Sequence, residues 1–394
     1  MRFMPQRCQA GLPGDAILRL PVQEWPGINT WQRVVPAILR PDAQCRTVTL
    51  MQTGEQFRND LRIEGARPDG NAPGRGGSRG PLLSADELHA LTALSAFRSA
   101  MAVAQTLLIV MMALGAAIAW PVFWVLVPAV LIIATQQHAM FVLAHEAAHY
   151  RLFPNRSVND LAGRLLGAFA GLSMCAYRVV HRLHHNDLYG ERDPDIALHG
   201  GYPRGKAYLV RKLFADVLGL TAWKTYSYFL GAPAANAETG QAQRPLDDTS
   251  VSLRQAARAD RWLVAAVQLA LPICAGLLFG WYGLMLYLLL WVLPAVTVLQ
   301  AILRLRAICE HGAPAATDSP LRAARTTLAG PLLRLILFPH HVNYHVEHHL
   351  YPAVPHYRLP QLHRTLGARG ILANAEVRSF GETWARVYAA PAGS

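Results

Sequence analysis

The chain has 394 residues, of which 52% are hydrophobic and 16% charged, against about a quarter charged in an ordinary soluble domain. Lys and Arg total 37 against 25 Asp and Glu, a net charge of +12. This composition excludes a disordered chain, and the clustering of its apolar residues excludes a soluble globular one.

Residues 1–82 carry several Pro, much Arg and Gln and a Gly/Pro/Arg run, without sustained periodicity. They read as a flexible N-terminal extension, or as a stretch upstream of the true start. No apolar run follows the first five residues, so no cleavable leader is expected. Ser84 and Glu87 stand at the two positions of a capping box ahead of a first helix.

Residues 99–145 and 262–303 each lack any Asp, Glu, Lys or Arg, over 47 and 42 residues. A spanning helix takes about 20 residues, so each block is read as two spans, about 99–119, 122–144, 262–280 and 282–303. The breaks fall at Trp120-Pro121 and Gly280-Trp281-Tyr282-Gly283, and neither turn is basic. Arg98, Arg151, Arg156, Arg261, Arg304 and Arg306 lie just outside the blocks. By the positive-inside rule the turns face outward, while both termini, residues 145–261 and residues 304–394 are cytoplasmic. The basic excess is thus explained by membrane flanks, and no nucleic-acid partner is expected. Inside the insert, residues 165–177 are too short to cross and are expected to dip in or pack under the spans. Residues 206–230 read as an interfacial amphipathic helix and residues 231–250 as a polar loop. The expected fold is all-α and integral to the membrane: four helices as two hairpins, with a cytoplasmic helical cap.

Five scattered cysteines, with no CxxC pair, offer no disulfide framework and no zinc-ribbon or rubredoxin-like module. The histidines carry the chemistry. Of sixteen, eight fall into three groups: His145 and His149; His181, His184 and His185; His345, His348 and His349. Spacings of three and four place side chains on one helix face, so each group is expected to offer its imidazoles to a single point. His311, just past the fourth span, emerges on the same side. Imidazoles crowded together repel once protonated, so a shared cation is the economical explanation. Nine ligands exceed one four-coordinate ion, which implies two metals. His89, His138 and His363 read as ordinary structural histidines; His199, His340, His341 and His356 stay outside the ligand set. Imidazole suits Zn, Cu, Ni or Fe, so ligand type alone does not choose the metal.

The HxxxH and two HxxHH groups resemble the three histidine boxes of the integral-membrane fatty acid desaturase superfamily, which also holds hydroxylases and carotenoid ketolases. Asp193-Pro194-Asp195 after the second box, Glu310-His311-Gly312 after the fourth span, Asn343-Tyr344 before the third box and Leu350-Tyr351-Pro352 after it are similar to bacterial acyl desaturases. The similarity covers about residues 83–389. It implies two non-haem irons held by the eight box histidines and His311, with O2 as co-substrate. It further implies a lipid or acyl substrate, an external ferredoxin-, rubredoxin- or cytochrome b5-like electron donor, and a bacterial inner-membrane location. Stearoyl-CoA-type members have an Asn where this chain has Ala307; Glu310 and Asn343 are candidates to replace it. Glu146, Asp193, Asp195 and Glu347 are candidates to orient ligand imidazoles, with surface ion pairing as the competing role.

Acyl desaturation is the preferred reaction, with hydroxylation or ketolation at the same site as the alternative. Two other classes remain open. His145-Glu146-Ala147-Ala148-His149 fits the HExxH of a zinc protease, with Glu146 as general base, but leaves seven histidines unused. A histidine-rich metal transporter would carry its site near the bilayer midplane, where these spans hold only His138 and a few Gln.

Overall fold

The computed structural model describes residues 82–232, 234–235, 242–243, 246 and 249–389. The N-terminal extension therefore lies, but for residue 82, outside the described residues, as does part of the 231–250 loop. Helix α1 (Ala85–Thr92) starts as expected: Ser84 Oγ accepts from Glu87 N, and Glu87 Oε2 accepts from Ser84 N at 2.8 Å. Helix α2 (Ala96–Ala119) runs to the Trp120-Pro121 turn and α3 (Phe123–Ala148) returns beside it. Every residue of α3 from Gln136 to Ala148 is buried, so its second half is the central post of the bundle.

Helix α4 (Arg156–Ala170) is capped by Asn155 and ended by Gly171 at φ 83°. It packs on α3 and α9, so the uncharged residues 165–170 at its end lie against long apolar helices, as expected of the start of the 165–177 stretch. Helix α5 (Met174–Asn186) follows, capped by Ser173, and then the single turn α6 (Ile196–His199). The expected single amphipathic helix is instead two, α7 (Gly205–Val217) and α8 (Ala222–Phe229). The chain breaks at Gly219, whose φ of 75° suits a residue without Cβ. Two residue pairs, β1 (Ala234–Ala235) and β2 (Ala242–Gln243), join antiparallel.

Helix α9 (Val251–Tyr287) leaves helical geometry at Gly280, with φ 58° and ψ −143°. A methyl group at Gly283 would fall 2.0 Å from the Ala275 carbonyl oxygen, although eight residues of straight helix span about 12 Å. The chain therefore reverses at Gly280. A π-helical turn (Leu288–Val292) and a break at Thr297, φ −120° and ψ −86°, precede α10 (Val298–His311). Such irregularities release carbonyls that lipid cannot serve. Here side chains serve them: Gln137 Nε2 donates to Trp291 O at 2.9 Å, and Gln300 Nε2 and the Tyr226 hydroxyl donate to Ala295 O at 2.7 and 3.1 Å.

The last third holds α11 (His345–Leu350), α12 (Leu359–Ala368) and α13 (Phe380–Val387). A parallel pair, β3 (Thr326–Leu328) with β4 (Val377–Ser379), adds a little strand to the expected all-helical chain. Three helical stretches are long and apolar enough to cross a membrane: Ala85–Ala119, Phe123–Ala148 and Val251–His311, the last containing the reversal. Their outer faces expose Phe97, Met111, Trp124, Leu277 and Trp281, surface that water would penalise and lipid would not. The chain is a predominantly helical membrane protein.

Candidate metal centre

The eight histidines singled out by spacing, together with His311, gather into two clusters. His145, His149, His181, His185 and His348 form one; His184, His311, His345 and His349 form the other; within each, the ligand atoms lie within 4.8 Å of one another. His145 lies in the last turn of α3 and His149 caps it, α5 and α11 carry the two HxxHH groups, and His311 is the last residue of α10.

One expectation is corrected. Neither HxxHH group faces a single point. Residues i and i+4 of a helix share a face, whereas adjacent residues diverge by about 100°. His181 and His185 therefore join the first cluster while His184 joins the second; His345 and His349 join the second while His348 joins the first. Each helix contributes to both clusters, and the two helices do so reciprocally.

The donor set fits metal ions. His185 Nε2 lies 2.9 Å from His181 Nε2 and 3.1 Å from His348 Nε2. In the second cluster His311 Nε2 lies 2.8 Å from His345 Nε2 and 3.2 Å from His184 Nε2, and His349 Nε2 is 3.2 Å from His345 Nε2. Ligands on bonds of about 2.1 Å are spaced about 3.0–3.4 Å apart. Both ring nitrogens of His145 and Nε2 of His149 are buried without a hydrogen-bond partner among the described residues. Unmet polar atoms at this density are costly, and lone pairs converging on one point are what a cation requires. Burial pushes His149 down to about 3, with Arg151 and Arg178 adding to the shift, and holds His181, His185 and His348 well below the usual imidazole value. These four imidazoles are neutral, with lone pairs available, at neutral pH.

The residues around the rings divide into two sets. Asp193 Oδ1 is 3.0 Å and Asp195 Oδ2 3.6 Å from His184 Nδ1. Burial opposes charge on His184, but these two carboxylates lift it to about 9. Nδ1–H is thereby held toward Asp193, and Nε2 faces the cluster, 3.2 Å from His311 Nε2, with a proton at neutral pH that a cation would displace. Glu310 Oε1 lies 3.6 Å from His345 Nδ1 and 2.7 Å from Arg306 Nε. The other three sit one step further out. Glu146 Oε2 accepts from His356 N at 3.0 Å; Glu347 bonds His363 Nδ1 and Thr326 Oγ1, each at 2.5 Å; Asn343 Nδ2 donates to Thr327 O at 3.1 Å. They anchor the chain that carries the ligands. Glu347 also draws in His363, set aside as an ordinary histidine, so that β3, α11 and α12 are tied at one carboxylate.

Sequence reasoning passed over His199. It is buried beside the second cluster, its ring 4.8 Å from that of His311, and it groups with His184 and Asp193. A lone histidine after an Asp-Pro-Asp turn carries no spacing signal. Tyr177, stacked on His181 at 5.1 Å and 12°, was likewise invisible.

Comparison with known proteins places these features in context. The sequence profile of the family described as fatty acid desaturase matches residues 118–379. A beta-carotene ketolase of Paracoccus sp. (strain PC1) is 29% identical over 234 residues, 58% of this chain and 75% of the relative. A probable fatty acid desaturase of Sorghum bicolor is 25% identical over 61% of each chain. A dihydrorhizobitoxine desaturase of Bradyrhizobium elkanii is 28% identical over 60% of this chain and 67% of its own.

Proposed function

Because the chain belongs to the fatty acid desaturase family and is an oxidoreductase, we propose that it desaturates a fatty acyl chain, carried as an acyl lipid or acyl thioester, with O2. The observation that carries this reading is the convergence of nine imidazoles into a five-histidine and a four-histidine cluster. His145, His149, His181, His185 and His348 would hold one iron, and His184, His311, His345 and His349 the other. Two such irons supply, when reduced by an external donor, the oxidant that an unactivated C–H bond needs. The net reaction removes two hydrogens from adjacent carbons and takes two electrons and two protons from outside, reducing O2 to two waters.

The chain's own residues do the positioning. Asp193 fixes the His184 tautomer, and Glu310, neutralised by Arg306, stands behind His345. Glu347, through Thr326 and His363, sets the attitude of α11. The absence of basic residues from the turns at 120–121 and 280–283 supports four crossings as two hairpins, in a domain of residues 83–394. Residues 145–261 and 304–394 then form a cytoplasmic cap around the site, with both termini cytoplasmic. The electron donor is of ferredoxin, rubredoxin or cytochrome b5 type, and the location a bacterial inner membrane.

Similarity to a ketolase favours one second reading, oxygen insertion at the same centre. The zinc-protease reading would use only part of this arrangement, since its two HExxH histidines, His145 and His149, sit in a cluster with three more. Expression of the wild type and His348→Ala in one host, with acyl chains compared by mass spectrometry, tests the proposal. New unsaturation is expected from the wild type alone. A mass gain of one oxygen would select the second reading, and an unchanged profile would reject both for acyl chains.

A further inference from the structure

Helix α7 presents three different faces. Leu209, Leu213 and Asp216 turn inward, and the two leucines join the core that also holds Ile302, Ile308 and Trp384. Ala207, Val210, Phe214 and Val217 form a second face and are exposed, the last three by half or more. Leu218, Leu220 and Trp223 continue that apolar surface round the corner into α8. The third face is cationic. Arg204 Cζ, Arg211 Cζ and Lys212 Nζ lie 5.2, 5.6 and 5.4 Å from the centre of the Tyr208 ring. Three like charges around one ring repel one another, and the ring offsets only part of that cost. Residues 196–215 hold no acid, and the next one, Asp216, is taken by Arg304 and Thr221 on the inner side. Neither Arg211 nor Lys212 forms an ion pair among the described residues. The first turn of α7 is also free of acid, and its N-cap offers no side-chain acceptor, so the helix start adds its own attraction for an anion.

The surroundings of α7 fix its level in the membrane. A Cβ on Gly219, just past its end, would lie 3.2 Å from Val296 O, beside the break at Thr297. Asp216 accepts from Arg304 Nη2 at 2.9 Å, and Arg304 is the first charge after 42 uncharged residues. The helix therefore lies where the last apolar block meets water. We propose that α7 seats an anionic phospholipid of the bilayer, its phosphate among Arg204, Arg211 and Lys212 at Tyr208 and its acyl chains along Val210, Phe214 and Val217. The apolar face selects a lipid over a soluble anion, and the cations select an acidic headgroup over a zwitterionic one. This site goes beyond the desaturase reading and does not depend on it. It bears on the reaction through Asp216 and Arg304, which are in the wall of a cavity that also touches His181, His184, His311 and His345. A lipid on α7 braces that wall from outside.

The test uses the full-length iron-loaded protein in detergent, with its tryptophan fluorescence quenched by two brominated lipids of equal chain length, a phosphatidylglycerol and a phosphatidylcholine. Phosphatidylglycerol is expected to bind at least about tenfold more tightly at low salt, with the margin shrinking as NaCl is raised. Arg211→Gln with Lys212→Gln, bound iron unchanged, is expected to remove most of that preference. Removing the same charge at Arg322 and Arg364 should leave it intact, and Phe214→Gln should weaken both lipids together. Equal binding of the two lipids overturns the proposal, as does a preference that survives the Arg211 and Lys212 changes or is lost equally at the control positions. Displacement by inorganic phosphate at the lipid's own concentration would make this a site for a free anion and overturn the lipid. Should the double variant lose its iron, Arg211→Gln alone is read in its place, with a loss of about fivefold expected and no loss overturning the site.

Discussion

Asp193 holds His184 from behind and also accepts from the backbone N–H groups of Tyr189 and Asp195, each at 2.9 Å. It therefore sets both the ring's tautomer and the loop that carries it. Asp193→Asn removes the charge that fixes the tautomer, and a loss of about 10–100-fold in metal affinity is expected, read by competition with a chelator. An unchanged affinity would place Asp193 in a purely structural role. His199 gives a second expectation. Burial pushes it down to about 3, against about 6.5 in an unfolded chain. Between those values the unfolded chain binds the proton and the folded chain does not. Stability is therefore complete above about 6.5 and lost as pH falls toward 3. At pH 5.5 the loss from this imidazole is on the order of 1 kcal/mol, and the buried cluster histidines act in the same direction, apart from His184, which its carboxylates lift. The Tm of the metal-free protein in detergent should drop between pH 7.5 and 5.5; a flat profile would contradict neutral burial. Spacing made eight histidines legible because three such groups are improbable by chance, and the position of His311 past the fourth span added the ninth. His199 had no such pattern and became visible only through its neighbours.

Near the site, α3 and α4 pack closely. A Cβ on Gly163 would lie 2.3 Å from the Ala147 Cβ and 2.8 Å from Met174 Sδ. Met174 can yield, but Ala147 is fixed in the buried end of α3, between His145 and His149. Gly163→Leu should therefore wedge the two helices apart at a cost of about 1–3 kcal/mol. A lower Tm and reduced bound iron are expected together; full iron with a normal Tm would show that α4 can move freely. The capping box at Ser84, the turn at Trp120-Pro121 and the reversal at Gly280 were readable because Ser, Pro and Gly punctuate the chain there. The break at Thr297 was not. It lies within 42 uncharged residues and depends on Tyr226, far away in sequence, and on Gln300 to meet the carbonyl of Ala295. A window along the sequence cannot register partners of that kind. The split of each HxxHH group was hidden for the same reason, since it is decided by where the facing helix stands.

At the scale of the whole molecule, the proposed four-crossing arrangement predicts sidedness. In a cysteine-free background, Trp281→Cys should react with a membrane-impermeant maleimide added to intact spheroplasts, and Asp318→Cys only after permeabilisation. The opposite pattern would invert the proposed orientation, and labelling of both in intact spheroplasts would reject it. The reciprocal placement of the box histidines has a further consequence. Because α5 and α11 each have rings on both sides of the seam between the clusters, a small roll of either helix withdraws imidazoles from the two sides together. If each cluster holds an ion, the two sites would be yoked mechanically, like two latches on one bar: loading one would align the rings awaiting the other, and stripping one would slacken both. Filling should accordingly run steeply from empty to complete, with little singly occupied protein on the way.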